Sequence, residues 1–272
     1  MSPFDHQVFI PSVTILNYTM SQAPSSDKPA DDASTTDDAS DGVCADYFDE
    51  DDILYPRPIQ FQLGRSTIHA TADLMHPFYR HVLKLDLHRR AWQRFVARCL
   101  LPCLPAVCQR LVQRWWPSCS LPDCVVLKKL AQPDHTHAFE NEQAMYRRLA
   151  AFQGRLIPYF YGEAQCEGAR ALLVSFVQGV TVRDQPKPRL SVDDLIERIR
   201  VVAEDMATSG IVYSDEKLDN IILTDDGRIV FIDLEMAEEE PDPAECVYYL
   251  LKRFEYLYTQ FLKVVDDEDC WY

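Results

Sequence analysis

Strict alternation of apolar and polar positions marks the first patterned stretch of the chain. Ile59-Gln60-Phe61-Gln62-Leu63 and Thr67-Ile68-His69-Ala70-Thr71 flank Gly64, which predicts a β-hairpin. Cys124-Val125-Val126-Leu127-Lys128-Lys129 is an apolar, β-branched run and predicts a buried strand that ends in lysine. The period then changes: residues 139–149 have helical spacing, with Phe139, Tyr146 and Leu149 on one face. Residues 156–162 and 171–177 predict two more strands, separated by a turn at Glu167-Gly168. Ser191-Val192-Asp193-Asp194 carries helix-start chemistry for a helix to about Ser209. Leu195, Ile199, Val202 and Met206 share its apolar face, and Gly210 ends it. Short strands at 221–223 and 229–232 are joined through Asp225-Asp226-Gly227, and a last helix spans about 244–265. Hairpin-type strands mixed with separate helices make an α+β fold.

Charge changes this picture in two places. The chain has 272 residues and a net charge of −16, yet residues 27–52 hold eleven acidic residues and one lysine among Ser, Thr, Ala and Pro. Such a segment has too little apolar surface to form a core, so residues 1–52 are expected to be a disordered, solvating tail. Residues 80–116 go the other way, with eight Lys or Arg against Asp86 alone. Leu83, Leu87, Trp92, Phe95, Leu111 and Trp115 are interleaved there, and the segment reads as two amphipathic helices broken near Pro102 to Pro105. The expected role is a packed basic insert; the alternative is a peripheral surface for anionic lipid or an acidic partner. With the tail set aside the remainder is still acidic, which argues against general nucleic-acid binding. No stretch reaches the roughly 20 apolar residues of a membrane span, and residues 1–20 lack a basic start. An intracellular protein, cytoplasmic or nuclear, is expected. Nine cysteines without paired C-x-x-C spacing then read as reduced thiols.

The chemistry is concentrated in residues 212–235, VYSDEKLDNIILTDDGRIVFIDLE. Asp215 can orient a hydroxyl, Lys217 lies two residues on, Asn220 five residues on, and Asp233 ends the strand that follows. An ordinary hairpin with surface charges would account for Asp215 alone, but not for D-x-K-x-x-N followed by a strand-borne Asp. The layout points to phosphoryl transfer.

This loop resembles the catalytic loop of protein kinases, with Tyr213-Ser214 in place of His-Arg and Asp233-Leu234-Glu235 in place of Asp-Phe-Gly. The strand ending at Lys128 resembles the Val-Ala-Ile-Lys strand of the same family. Leu121 to Lys128, Gln153 to Gly162, Leu218-Asp219-Asn220 and Asp233-Leu234-Glu235 also resemble small, atypical kinase-like proteins of filamentous fungi, over about residues 59–235. The resemblance implies a bilobal protein-kinase-like fold. A small antiparallel β-sheet N-lobe (53–177, with the insert) would precede a truncated helical C-lobe (178–272).

It also implies roles. Lys128 would hold the α- and β-phosphates of ATP and pair with Glu142, with Lys129 and Glu140 as the competing choices. Ser175 and Val177 would offer hinge backbone to adenine. Asp215 would accept the proton of a hydroxyl acceptor, Lys217 would steady the transferred group, and Asn220 and Asp233 would hold Mg²⁺. The implied activity is γ-phosphoryl transfer from ATP to a protein Ser or Thr or to a small hydroxylated molecule; a pseudokinase that serves as an interaction module is the alternative. Two departures bear on that choice. No Gly-x-Gly-x-x-Gly precedes Lys128, where Gly64 is the only glycine between Gly42 and Gly154, so the hairpin around Gly64 is the expected substitute roof over the phosphates. Only 39 residues follow Asp233, too few for the usual peptide-binding platform.

Overall fold

Strands β1 (Arg57–Leu63), β2 (Ser66–Leu74), β3 (Val82–Leu87), β4 (Cys124–Lys129), β5 (Phe160–Cys166) and β6 (Ala169–Ser175) close into an antiparallel barrel in the order β1-β2-β3-β4-β6-β5. The computed structural model describes residues 54–89, 96–100, 103–105 and 120–269. The acidic tail at 1–52 and most of the basic insert lie outside the described residues. The expected small antiparallel sheet closes into a barrel. Its ends meet where Phe61 faces Cys166 and Leu63 faces Ala164, which satisfies two strand edges at once. An Arg57–Glu167 ion pair at 2.6 Å, with Lys129 3.3 Å from the same carboxylate, ties the start of β1 to the β5–β6 turn.

Alternation along each strand sorts side chains between two cores. Leu83, Leu85, Val125, Leu127, Ala171 and Leu173 fill the barrel with Phe61, Leu63 and Ile68. Val126 and Val174 point the other way, into a second core built on helices. Lys128, two residues after Val126, shares that outward face.

The strand β3 corrects the helical reading of residues 80–116. Val82-Leu83-Lys84-Leu85-Asp86-Leu87 alternates with a period of two, and Leu83, Leu85 and Leu87 are buried in the barrel. Lys84 points outward, its ammonium 4.8 Å from the centre of the Phe176 ring. The count of basic residues obscured a strand pattern that burial obeys. Of the rest of the insert, the described part includes one π-helical turn, Val96–Leu100.

The second core gathers α1 (Thr136–Arg148), α2 (Val192–Ala207) and α3 (Pro243–Asp269). Helix α2 starts where expected: the Ser191 hydroxyl accepts a hydrogen bond from the Asp194 amide, and Asp193 and Asp194 complement the helix dipole. Its buried residues include Leu195, Ile199, Val202 and Met206. Helix α3 buries Val247, Leu250, Leu251, Phe254 and Tyr258, an i, i+3, i+4 stripe. Between α2 and α3 the chain makes β8 (Ile211–Val212), a 3-10 turn at Leu218–Asn220, β9 (Ile221–Leu223), β10 (Ile229–Phe231) and β11 (Glu238–Glu239). Strands β9 and β10 pair with each other, β9 also with β7 (Val180–Thr181), and β8 with β11. Residues 156–159 do not join β5 as expected. Leu156 and Ile157 are buried, and the Leu156 carbonyl accepts from the Phe231 amide instead.

Candidate functional site

Strand β4 delivers Lys128 and helix α1 delivers Glu142. The ammonium lies 2.8 Å from each Glu142 carboxylate oxygen and 3.1 Å from Asp233 Oδ1. The competing residues are occupied elsewhere, Lys129 with Glu167 and Glu140 with Arg170. Glu142 is only 3% exposed. Burial opposes the charged form of Lys128, but Glu142 and Asp233 outweigh it and raise its pKa. Glu142 is pushed up to about 7 by burial, and Asp233 adds to the rise against the pull of Lys128. One cation thus serves two carboxylates and stays charged.

Helix α1 is also fastened to the segment after Asp233. The Asn141 side-chain amide donates to the carbonyls of Glu235 and Ala237, at 2.9 and 2.8 Å. The Glu235 amide in turn donates to Asp233 Oδ1 at 3.3 Å. Any shift of α1 therefore moves the carboxylate that Lys128 holds.

The tight loop between β8 and β9 forms the second cluster. Asp215 Oδ2 accepts from Asn220 Nδ2 at 2.7 Å and from Lys217 Nζ at 3.0 Å. Burial opposes the charged form of Lys217, but the hydrogen bond and charge of Asp215, with the charges of Asp233 and Glu235, raise its pKa. Asp215 is nearly buried, whereas Lys217 is exposed. Asp215 Oδ1 has no hydrogen-bond partner among the described residues, which leaves it open to an incoming hydroxyl. The two clusters meet through the backbone, where the Ile232 amide donates to the Asn220 carbonyl at 3.1 Å.

The sequence-predicted residues thus form two sets, Lys128 with Glu142 and Asp233, and Asp215 with Lys217 and Asn220. Ser175 and Val177 stand apart from both. The Ser175 amide donates to the Tyr159 carbonyl at 2.8 Å, and its hydroxyl accepts from the Tyr159 amide at 2.9 Å, so its amide is not available to a ligand. Val177 lies in the loop between β6 and β7 with no backbone hydrogen bond among the described residues.

The roof over Lys128 differs from the expected one. Gly64 turns β1 into β2, and neither of these strands pairs with β4. Val82 is the residue that faces Lys128, and the His81 carbonyl accepts from the Lys129 amide at 2.8 Å. The loop joining β2 to β3, residues 75–81, is therefore the one beside Lys128. It has no glycine, and Phe78 on it is 87% exposed. His81, His135 and Glu235 line a small cavity with Lys128 and Glu142. Burial lowers the His81 pKa, helped by the charge of Lys128. Burial and the charge of Asp233 raise that of Glu235. Sequence reading missed His81 and Glu235 as members of the site; the signal for Glu235 was its place two residues after Asp233, and for His81 there was none.

Two oxygens in the clusters remain open, Asp233 Oδ2 and Asn220 Oδ1, since neither makes a hydrogen bond among the described residues. A carboxylate and an amide oxygen suit a hard cation that keeps its waters and shares phosphate ligands, as Mg²⁺ does. No group of three or more His, Cys, Asp or Glu suited to a metal occurs among the described residues, so the pair fits a cation delivered with phosphate better than a closed protein cage. The described cysteines, Cys99, Cys103, Cys124, Cys166 and Cys246, are free thiols. No described helix is long and apolar enough to cross a membrane.

No family model matches the chain. A Bacillus subtilis (strain 168) protein named "Putative serine/threonine-protein kinase YrzF" is 27% identical over 112 residues, 41% of this chain and 49% of that protein. The chain thus spans about half the length of the curated relative it matches. Among solved structures, the Mycobacterium tuberculosis PknI kinase domain overlays 44% of this chain and 52% of its own, with 21% identity and a TM-score of 0.34. The chain is distantly similar to protein kinases.

Proposed function

We propose that the chain is a bilobal, kinase-like phosphotransferase that binds ATP with Mg²⁺ between its barrel and its helical part. The observation that carries this reading is the buried Lys128–Glu142 pair held against Asp233. Lysine on a strand, glutamate on a helix and aspartate after a later strand come from sequence positions 128, 142 and 233, and they meet at hydrogen-bonding distance. The reading retains the expected domain layout and the resemblance to small fungal kinase-like proteins.

In this reading Lys128 binds the α- and β-phosphates and Glu142 keeps it in place. Asn220 and Asp233 hold Mg²⁺, which when bound offsets the negative charge of the phosphates. Val177 offers its free backbone groups to adenine. Asp215 Oδ1 orients the acceptor hydroxyl and takes its proton as the hydroxyl oxygen bonds to the γ-phosphorus. The bond from that phosphorus to the ADP oxygen breaks, and ADP leaves with the electron pair. Lys217, already beside Asp215, donates to the transferred phosphoryl oxygens. The acceptor is a protein Ser or Thr or a small molecule with a hydroxyl.

A second reading, a pseudokinase that binds nucleotide without turnover, is favoured by the glycine-free loop at 75–81. Backbone amides reach phosphate closely where no side chain intervenes, and this loop has a side chain at every position. The two readings separate in an assay of Mg²⁺-dependent ATP hydrolysis and phosphoryl transfer on wild type, Asp215→Ala and Asp233→Ala. Turnover in wild type that falls in both variants supports the phosphotransferase. Equal, metal-independent rates in all three support the pseudokinase.

A further inference from the structure

The loop at 75–81 keeps backbone donors for itself. The Met75 amide donates to the Val82 carbonyl at 3.3 Å, the Phe78 amide to His76 Nδ1 at 3.3 Å and the Tyr79 amide to the His76 carbonyl at 3.1 Å, while Pro77 has no amide proton. Without glycine, and with these amides occupied, the loop is poorly built to cradle phosphate through its backbone. What it offers instead is a side chain. His81 ends the loop and is half-buried, and the Tyr79 ring stands edge-on to it with centroids 6.2 Å apart. Neither ring nitrogen of His81 makes a hydrogen bond among the described residues. Backbone contacts fix its place: the His81 carbonyl accepts from the Lys129 amide at 2.8 Å, and the next residue, Val82, faces Lys128 across β3 and β4.

The cavity that His81 lines with Lys128 has a volume of about 40 Å³. A pocket for a whole small ligand takes roughly 300–1,000 Å³, so this one admits an end group only. Its place along β4 says which end. Ser175 faces Val125, three residues or about 10 Å back along the strand from Lys128, whereas Leu130 and Ala131, beyond Lys128, line the cavity. A nucleotide with its base at the 175–177 end and its phosphates at Lys128 therefore points its last phosphoryl group toward His81.

We propose that His81 is a phosphate-binding residue: its ring N–H donates to a terminal phosphoryl oxygen of the nucleotide held by Lys128, replacing the backbone amides that the loop uses internally. This rests on the nucleotide-site reading above and deepens it. Burial and the charge of Lys128 lower the His81 pKa, so at neutral pH the ring has one N–H to donate. Glu235 on the cavity wall repels a bare anion, so the site suits a phosphoryl group that arrives with its cation better than free phosphate.

The test measures the affinity of the full chain for ATP with Mg²⁺, for adenosine and for inorganic phosphate, in wild type, His81→Phe and His81→Gln. His81→Phe is expected to bind ATP about tenfold more weakly, the worth of one hydrogen bond to a charged group, with adenosine binding unchanged. His81→Gln, which keeps an N–H donor, recovers part of the loss. A second measurement needs no variant: in spectra of wild type labelled at histidine, the His81 ring signal shifts with ATP and not with adenosine. Unchanged ATP affinity in His81→Phe, an equal loss for ATP and adenosine, or a His81 signal indifferent to ATP overturns the proposal while leaving the nucleotide site intact. Inorganic phosphate that binds wild type as tightly as ATP also overturns it, because the cavity would then be a free-anion site. A wild-type chain that binds neither ATP nor adenosine overturns the reading of the site, and this proposal with it.

Discussion

Lys128 Nζ stands 2.8 Å from both carboxylate oxygens of Glu142, joining strand β4 to helix α1 by a buried ion pair. Removing the cation leaves a buried carboxylate facing Asp233 with nothing between them. Lys128→Met is expected to lower stability by about 3–5 kcal/mol in urea denaturation at pH 8. The double variant Lys128→Met/Glu142→Leu recovers most of that loss, because the fully buried charge is gone and the Asp233 carboxylate that remains is partly exposed and keeps the Glu235 amide. A loss below about 1 kcal/mol in the single variant would show that the pair is not buried as described.

The same pair predicts a pH dependence. The folded-state pKa of Glu142 is raised to about 7, so between its ordinary value and 7 the folded chain binds a proton that the unfolded chain has released. That contribution to stability is complete below the ordinary carboxylate pKa and is lost as pH rises through about 7. Glu142→Gln has no proton to lose there. The stability profiles of wild type and Glu142→Gln between pH 5 and pH 8 are expected to differ in slope, with the steeper decline in wild type. Parallel profiles would contradict the assignment.

Asp215→Asn keeps the shape of the loop but removes the proton acceptor. Turnover is expected to fall by about 10²–10⁴ while ATP affinity changes little, measured by single-turnover kinetics and equilibrium binding. A parallel loss of affinity would instead make Asp215 part of the nucleotide-binding framework.

Two glycines separate steric from conformational need. At Gly179 (φ +151°) an added Cβ would lie 2.4 Å from the Leu223 carbonyl oxygen and 2.8 Å from Ile222 Cγ2. At Gly64 (φ +58°) it would meet nothing within 4 Å. Gly179→Ala is expected to cost about 1–3 kcal/mol or more, since backbone must move. Gly64→Ala costs only about 1–2 kcal/mol, from its left-handed conformation. Thermal denaturation of both variants checks the ranking.

The parts of this molecule that were legible beforehand are those whose signal is local. The strand to Lys128, the capped helix from Ser191 and the D-x-K-x-x-N loop each carry their pattern within a few residues. Barrel closure was not legible, because the pairing of Phe61 with Cys166 joins segments about a hundred residues apart and each reads as a strand either way. Residues 82–87 show that charge can mask period: Leu83, Leu85 and Leu87 alternate plainly, yet the surrounding arginines favoured a helix. His81 enters the site only through the register of β3 against β4, which no short pattern encodes.

Calorimetric titration of ATP into wild type and Asp233→Asn, with and without Mg²⁺, tests the central claim most directly. The account predicts that Mg²⁺ strengthens ATP binding to wild type and that Asp233→Asn loses most of this strengthening while retaining metal-free binding. The same Mg²⁺ effect in both proteins, or no ATP binding to wild type, would contradict it.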